Sequence, residues 1–308
     1  MLTVAMVLTG VVIVLGILVV PVLGRARWMS AHPSSAVTCW LGTLAGTYAA
    51  LSALIVLALL SPPTPGHDLV EWLTNCLPHH GHAGLMIASL GSLVLVSICY
   101  ARLAHGVPRL WRTILHRRRH REMLELVAHK NERHDDVLVL DHPIPVAYCI
   151  PARHRPIVVS SGALQRLETR ELSAVLAHER AHLQRRHHLI LLLLDLMHAA
   201  VPYLPITGRA HDRVPVLLEM AADDAAAARF GPQALISALQ KLSQSPSPSG
   251  ALGAIGSASK PPLNQRLERL GSPAPRGSRF LARATAISAV AGPVVILGTS
   301  MAYLPLPC

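Results

Sequence analysis

The sequence is short of charge. Asp, Glu, Lys and Arg make up 15% of its 308 residues, against about a quarter in an ordinary soluble domain. A soluble chain with so little charge would struggle to cover its own surface. It is also short of aromatic residues, at 4% with two Phe, and only three of its 28 basic residues are Lys. The net charge of +11 would otherwise invite a nucleic-acid reading. Without aromatic residues interleaved among the basic ones, direct nucleic-acid contact is not expected. Five cysteines are too few for a disulfide scaffold. No internal repeat is present, and a 51% apolar content excludes a largely disordered chain.

The apolar residues are concentrated in four uncharged runs, at 2–23, 37–60, 84–101 and 285–304, the third extending as a span to about 104. Each is long enough to cross a hydrocarbon core of about 30 Å as a helix. Positive residues in the short loops set the orientation. Arg25 and Arg27 separate the first two runs, and Arg102, Arg109, Arg112, Arg117, Arg118, Arg119 and Arg121 follow the third. The loop 61–82 has no Lys or Arg and carries Asp68 and Glu71. Both termini are therefore expected outside a plasma membrane, with the segment between runs three and four in the cytoplasm. The juxtamembrane arginines can attract anionic lipid. The first run lacks a basic leading segment, so it does not read as a cleavable signal peptide.

Three parts follow: residues 1–105 with three spans, a cytoplasmic domain at 106–280, and a fourth span with a short tail at 281–308. The fold class expected is a mainly α integral membrane protein carrying an α+β domain with a small sheet. Cys76 and Cys308 fall on the outer side, where a disulfide between them is allowed by compartment. His67, Cys76, His79, His80 and His82 form an outer thiol–imidazole cluster, read either as a metal sensor or as the polar rim of the third span.

Within the domain, the pattern predicts a helix over 111–133 leaving the membrane and short strands at 137–140, 146–150 and 157–159. A helix opens near Thr169, a candidate N-cap, and another spans 215–230 and stops at Gly231-Pro232. A short helix at 235–242 precedes a flexible Ser/Pro/Gly-rich linker at 243–262. The apolar run 189–206 is broken by Asp195, His198, Pro202 and Pro205. It reads as a helix packed in the domain or on the bilayer, with a re-entrant segment as the alternative.

His178-Glu179-Arg180-Ala181-His182 carries the chemistry. On a helix, residues four apart share a face, so both imidazoles can address one zinc ion. Glu179 lies one step round, placed as the general base toward a water. A catalytic zinc needs a third protein ligand and an open position. His187 and His188 lie about 140° and 80° off the zinc-facing stripe of the same helix, and His198 and His211 are isolated. Glu219 is the better candidate, because Glu219 and Asp223 share a face on an Ala-rich helix. Asp223 would then accept a hydrogen bond from the free ring nitrogen of a ligand histidine.

These residues carry a resemblance. Ala147-Tyr148-Cys149-Ile150-Pro151, the run from Ile157 to Leu164, the run from Glu171 to His182, and Glu219 to Asp223 resemble the BlaR/MecR-type antirepressor family. Gln265-Arg266-Leu267-Glu268-Arg269-Leu270 is similar to the R-x-x-R-L segment near the end of that family's domain. Two departures stand out. His187 occupies a position where members often have Asp, and no S-x-x-K drug-sensing motif follows the last apolar run.

The resemblance implies an integral-membrane zinc endopeptidase with a gluzincin site: zinc on His178, His182 and Glu219, with Glu179 as base. It further implies regulated cleavage of a cytoplasmic winged-helix repressor of the BlaI/MecI type, and is compatible with a homodimer. Val146, Ala147 and Tyr148 are candidates for an edge strand on which an extended substrate pairs. Residues 271–280 are a candidate self-cleavage stretch. A housekeeping membrane protease shares the same motif logic, and a non-catalytic receptor with a structural zinc is the reading from another class. The intact Glu179 argues against the last, since a structural zinc has no use for a general base.

Overall fold

The computed structural model describes residues 2–26, 28–60, 128–131, 134–150, 157–243 and 262–272, and part of 90–119, where every described residue is helical. The outer His/Cys cluster, Cys76, Cys308 and the fourth apolar run lie outside the described residues, as do the linker from 244 and the self-cleavage stretch beyond Ser272.

The first apolar run is one helical rod, α1 (Leu2–Ile13), a π-helical turn at Val14–Leu18 and α2 (Val19–Arg25). A single turn, α3 (Trp28–Ala31), leads into the long α4 (Pro33–Leu60). Met6–Arg25 and Pro33–Leu57 are each long and apolar enough to cross a membrane. The two rods pack through Val4, Leu8, Ala50, Ala53 and Leu57.

The sheet has the order β1-β2-β4-β3, with β1 (His129–Asn131), β2 (His134–Leu140), β3 (Ala147–Cys149) and β4 (Ile157–Ser160). The helix expected over 111–133 therefore ends earlier than its pattern suggested, because His129–Asn131 pairs antiparallel with β2. The central strand β4 runs parallel to β2 and antiparallel to β3. Its Ile157, Val158 and Val159 are completely buried, the uninterrupted apolar run expected of a strand covered on both faces. On one face Ile157 and Val159 join Val175, Leu176 and Leu183; on the other Val158 meets Ile150 and Tyr148.

Ser160 turns the chain from β4 into α5 (Ser161–Arg166): its Oγ accepts from Ala163 N–H at 3.1 Å and from Val146 N–H at 2.9 Å. Then come α6 (Thr169–Gln184), α7 (His187–Ala200), α8 (Pro205–Phe230), α9 (Pro232–Ser243) and α10 (Leu263–Gly271). Thr169 is the first residue of α6 rather than its cap; Glu168 holds the cap position. The helix expected from Pro215 begins ten residues earlier and carries Pro215 in its interior. The run at 189–206 is α7 and the turn into α8, with Leu194 and Ile206 in a core shared with Trp40, Leu44, Leu217 and Leu218. That shared core ties the N-terminal helices to the rest of the chain. Tyr48 OH on α4 donates to Met197 O on α7 at 2.6 Å.

Candidate metal centre

Two helices build the site, and alanine lets them approach. Ala174, Ala177 and Ala181 on α6 and Ala221, Ala222 and Ala226 on α8 are all buried. Without longer side chains at these positions, the polar residues one face over come within reach of each other. The α6 end of the pair is further fixed by Arg180, whose guanidinium makes a two-pronged contact with Asp136 on β2 at 2.7 and 2.8 Å.

One ligand atom each from His178, His182 and Glu219 lies within 4.8 Å of the others. The Nε2 atoms of His178 and His182 are 3.2 Å apart. Glu219 stands 3.7 Å from His178 Nε2 and 3.6 Å from His182 Nε2. A tetrahedral zinc with bonds of about 2.0–2.1 Å places its ligand atoms about 3.3–3.4 Å apart. The donor set therefore fits zinc in kind and in spacing. Two ring nitrogens facing each other at 3.2 Å also call for a cation or a proton between them.

Each imidazole is held through its other nitrogen. His178 Nδ1 lies 3.0 Å from Asp223 Oδ1, with Asp223 1% exposed. Burial works against charge on His178, but the Asp223, Glu219 and Glu179 carboxylates outweigh it and raise the group to about 9. The three carboxylates thus favour positive charge at this ring. Asp223 is in turn gripped by Arg266 on α10, with bonds of 2.6 and 2.8 Å. Despite burial, His178 and Arg266 hold the Asp223 carboxyl below its ordinary value. His182 Nδ1 lies 2.9 Å from Nδ1 of His187, which is 3% exposed. Burial and the nearby Arg185 push His187 down to about 4, so it is neutral at ordinary pH.

The edge strand β3 lies against α6. Val146 is engaged within the sheet: its N–H donates to Ser160 Oγ and its C=O accepts from Ser160 N–H at 3.0 Å. By the alternation of an antiparallel pair, Tyr148 also turns its backbone groups to β4, whereas Ala147 and Cys149 direct theirs to the open edge. Cys149 brings a thiol beside Glu179; burial, followed by the Glu179 carboxylate, raises its pKa strongly.

Residues 114–214 match the family model of Peptidase family M48. The chain carries a metallopeptidase domain. The match spans about a third of the chain and includes His178, Glu179 and His182 but stops short of Glu219. M48 peptidases are zinc enzymes, so this metallopeptidase is a peptide-bond hydrolase. No curated protein and no solved structure matches the chain.

Among the described residues, the structure of this metallopeptidase brings together His178, His182, Glu219, Glu179 and Asp223. His198 and His211 stack on each other at 5.0 Å, with His211 3.1 Å from Asp195, and do not join the zinc-type donor set. Three contributors were not legible in the sequence as part of the site. Arg266 was visible only as a member of a motif, His187 only as a helix position on the wrong face, and Cys149 only as a member of the run from Ala147 to Pro151.

Proposed function

We propose that the chain is a membrane-anchored zinc endopeptidase that cleaves an extended segment of a cytoplasmic protein, foremost a winged-helix repressor of the BlaI/MecI type. The observation that carries the reading is the convergence of His178, His182 and Glu219 beside Glu179, with the open edge of β3 alongside. Zinc held by the two histidines and Glu219 would polarise the scissile carbonyl and acidify a water. Glu179 takes a proton from the attacking water and returns it to the leaving nitrogen as the C–N bond breaks. Ala147 and Cys149 pair with the substrate backbone and so favour extended, unstructured segments over folded ones.

Membrane anchoring draws support from the surface of the first rod. Met6, Val7, Ile17, Leu18 and Val22 are 45–68% exposed along it, a stripe too long and too apolar to face water. The arginine-rich loops support a cytoplasmic peptidase by their positive charge. A second reading, quality-control cleavage of membrane or misfolded proteins, rests on the same H-E-x-x-H and E-x-x-x-D arrangement of His178, Glu179, His182, Glu219 and Asp223.

Paired expression of wild type and Glu179→Gln, followed by comparison of the cytoplasmic and membrane proteomes, separates the two. Loss of a single DNA-binding protein with wild type alone supports repressor cleavage. Accumulation of many membrane proteins with the variant supports quality control. No difference between the two proteomes overturns both.

A further inference from the structure

Helix α6 ends at Gln184 and α7 begins at His187, leaving two residues for the turn between them. Arg186 makes the turn in the left-handed conformation, with φ 52° and ψ 39°. It is the one non-glycine residue with positive φ among those described. Such a conformation is uncommon for a residue with a Cβ and costs free energy. Its consequence is local: the first side chain of α7 folds back onto the last turn of α6. His187 lands edge-on to His182, with ring centroids 4.7 Å apart at 89°, and its Nδ1 stands 2.9 Å from His182 Nδ1.

The tautomers follow from the site. His182 offers Nε2 toward His178 Nε2 and Glu219, so as a neutral metal ligand it carries its proton on Nδ1. A proton there needs an acceptor, and at 2.9 Å the atom it meets is His187 Nδ1. His187 therefore presents a lone pair at Nδ1 and carries its own proton on Nε2. The two ligand histidines are thus supported differently: His178 by a buried carboxylate, His182 by a buried neutral imidazole.

We propose that His187 is a positioning residue for the metal centre, accepting the Nδ1–H of His182 and fixing that ring's tautomer and angle. It touches neither substrate nor metal and acts through His182. The proposal rests on the zinc reading of the site. Groups that orient ligand histidines in this way typically alter metal affinity by about 10–100-fold when removed.

The test uses the full-length protein in detergent or nanodiscs, with zinc affinity measured by competition against a chromophoric chelator. Wild type is expected to bind one zinc; if it binds none, the metal reading itself fails. His187→Phe keeps the ring and its packing but has no acceptor, and is expected to bind zinc about 10–100-fold more weakly. His187→Asn restores an acceptor and is expected to recover most of that loss. Equal affinity of His187→Phe and wild type overturns the proposal, as does equal weakness of both variants, which would make His187 a packing residue only. Nitrogen-15 NMR of the histidine rings in zinc-loaded wild type gives a readout independent of any variant's folding. The Nε2–H tautomer of His187 is expected, and the Nδ1–H tautomer overturns the proposal.

Discussion

Arg266 and Asp223 are joined by two hydrogen bonds across 43 residues of sequence, at 2.6 and 2.8 Å. The pair is buried, with side-chain exposures of 11% and 1%. Through it, α10 reaches the nitrogen of His178 that faces away from the metal position. The same helix uses Arg269 to bind Asp224 and the carbonyl of Met220, so both flanks of the Glu219–Asp223 turn are clamped.

Removing one partner of a buried ion pair leaves the other uncompensated, at a cost of about 3–5 kcal/mol. Arg266→Ala is therefore expected to lower the unfolding free energy by roughly 3 kcal/mol and to weaken zinc binding as well. Denaturant or thermal unfolding of the purified protein measures the first. A double-mutant cycle with Asp223→Ala should show strong non-additivity, because the residues form one network. Additive effects would mean that the contact carries little energy.

How much of this was legible in the sequence depended on distance along the chain. His178, Glu179 and His182 announce themselves because a helix repeat of 3.6 residues puts i and i+4 on one face, and Glu219 with Asp223 follows the same rule. The alanines between them signal a close helix pair. Arg266 lies beyond a Ser/Pro/Gly-rich stretch, and no local periodicity says where such a segment returns. The 3.6-residue repeat rightly keeps His187 out of the zinc donor set, but its contact with His182 Nδ1 is invisible to that repeat, because Arg186 breaks the helix one residue earlier. Likewise His129–Asn131 gives no strand signal, since its residues are polar and its pairing to β2 is tertiary. Proline favours first turns, which fits a helix starting at Pro215, yet that residue sits inside α8.

The open edge of β3 yields a prediction about substrate. Ala147→Pro removes an outward-facing N–H while leaving the Val146–Ser160 bonds intact. One backbone hydrogen bond to substrate is worth about 0.5–1.5 kcal/mol, so cleavage of a peptide should slow by about 3–10-fold at unchanged zinc content. Peptide turnover beside metal analysis checks this. Unchanged turnover would place the substrate elsewhere.

Gly162 is a steric requirement rather than a conformational one. A Cβ built there meets the carbonyl oxygen of Pro143 at 2.0 Å and its carbon at 2.6 Å, and both are backbone atoms. The loop holding Pro143 connects β2 to β3, and Gly162 N–H donates to His142 O at 3.0 Å. Gly162→Ala must push this loop away and with it the edge strand. A loss of stability of about 1–3 kcal/mol is expected, the usual cost of overpacking, together with weaker peptide cleavage. A variant that melts like wild type would show that the loop yields freely.

Glu171 is a buried carboxylate whose charge is stabilised near the start of α6. It is 5% exposed, accepts from Ser237 Oγ–H at 2.5 Å and from Lys241 Nζ at 2.8 Å, and takes the Glu168 N–H at 2.8 Å. Burial favours its neutral form, but Lys241, Ser237 and the backbone N–H together outweigh that and lower its pKa from 4.5. A carboxylate depressed in the folded state contributes stability that is present above its unfolded pKa and lost as pH falls through the folded one. Glu171→Gln should therefore be less stable than wild type at pH 7, and the gap should close as the pH falls below about 4. Melting temperatures of the two proteins from pH 8 to pH 3 test the sign directly. A gap that widens on acidification would contradict the assignment. A constant gap would mean that Glu171 acts through shape and hydrogen bonding, with its charge contributing nothing to the pH dependence.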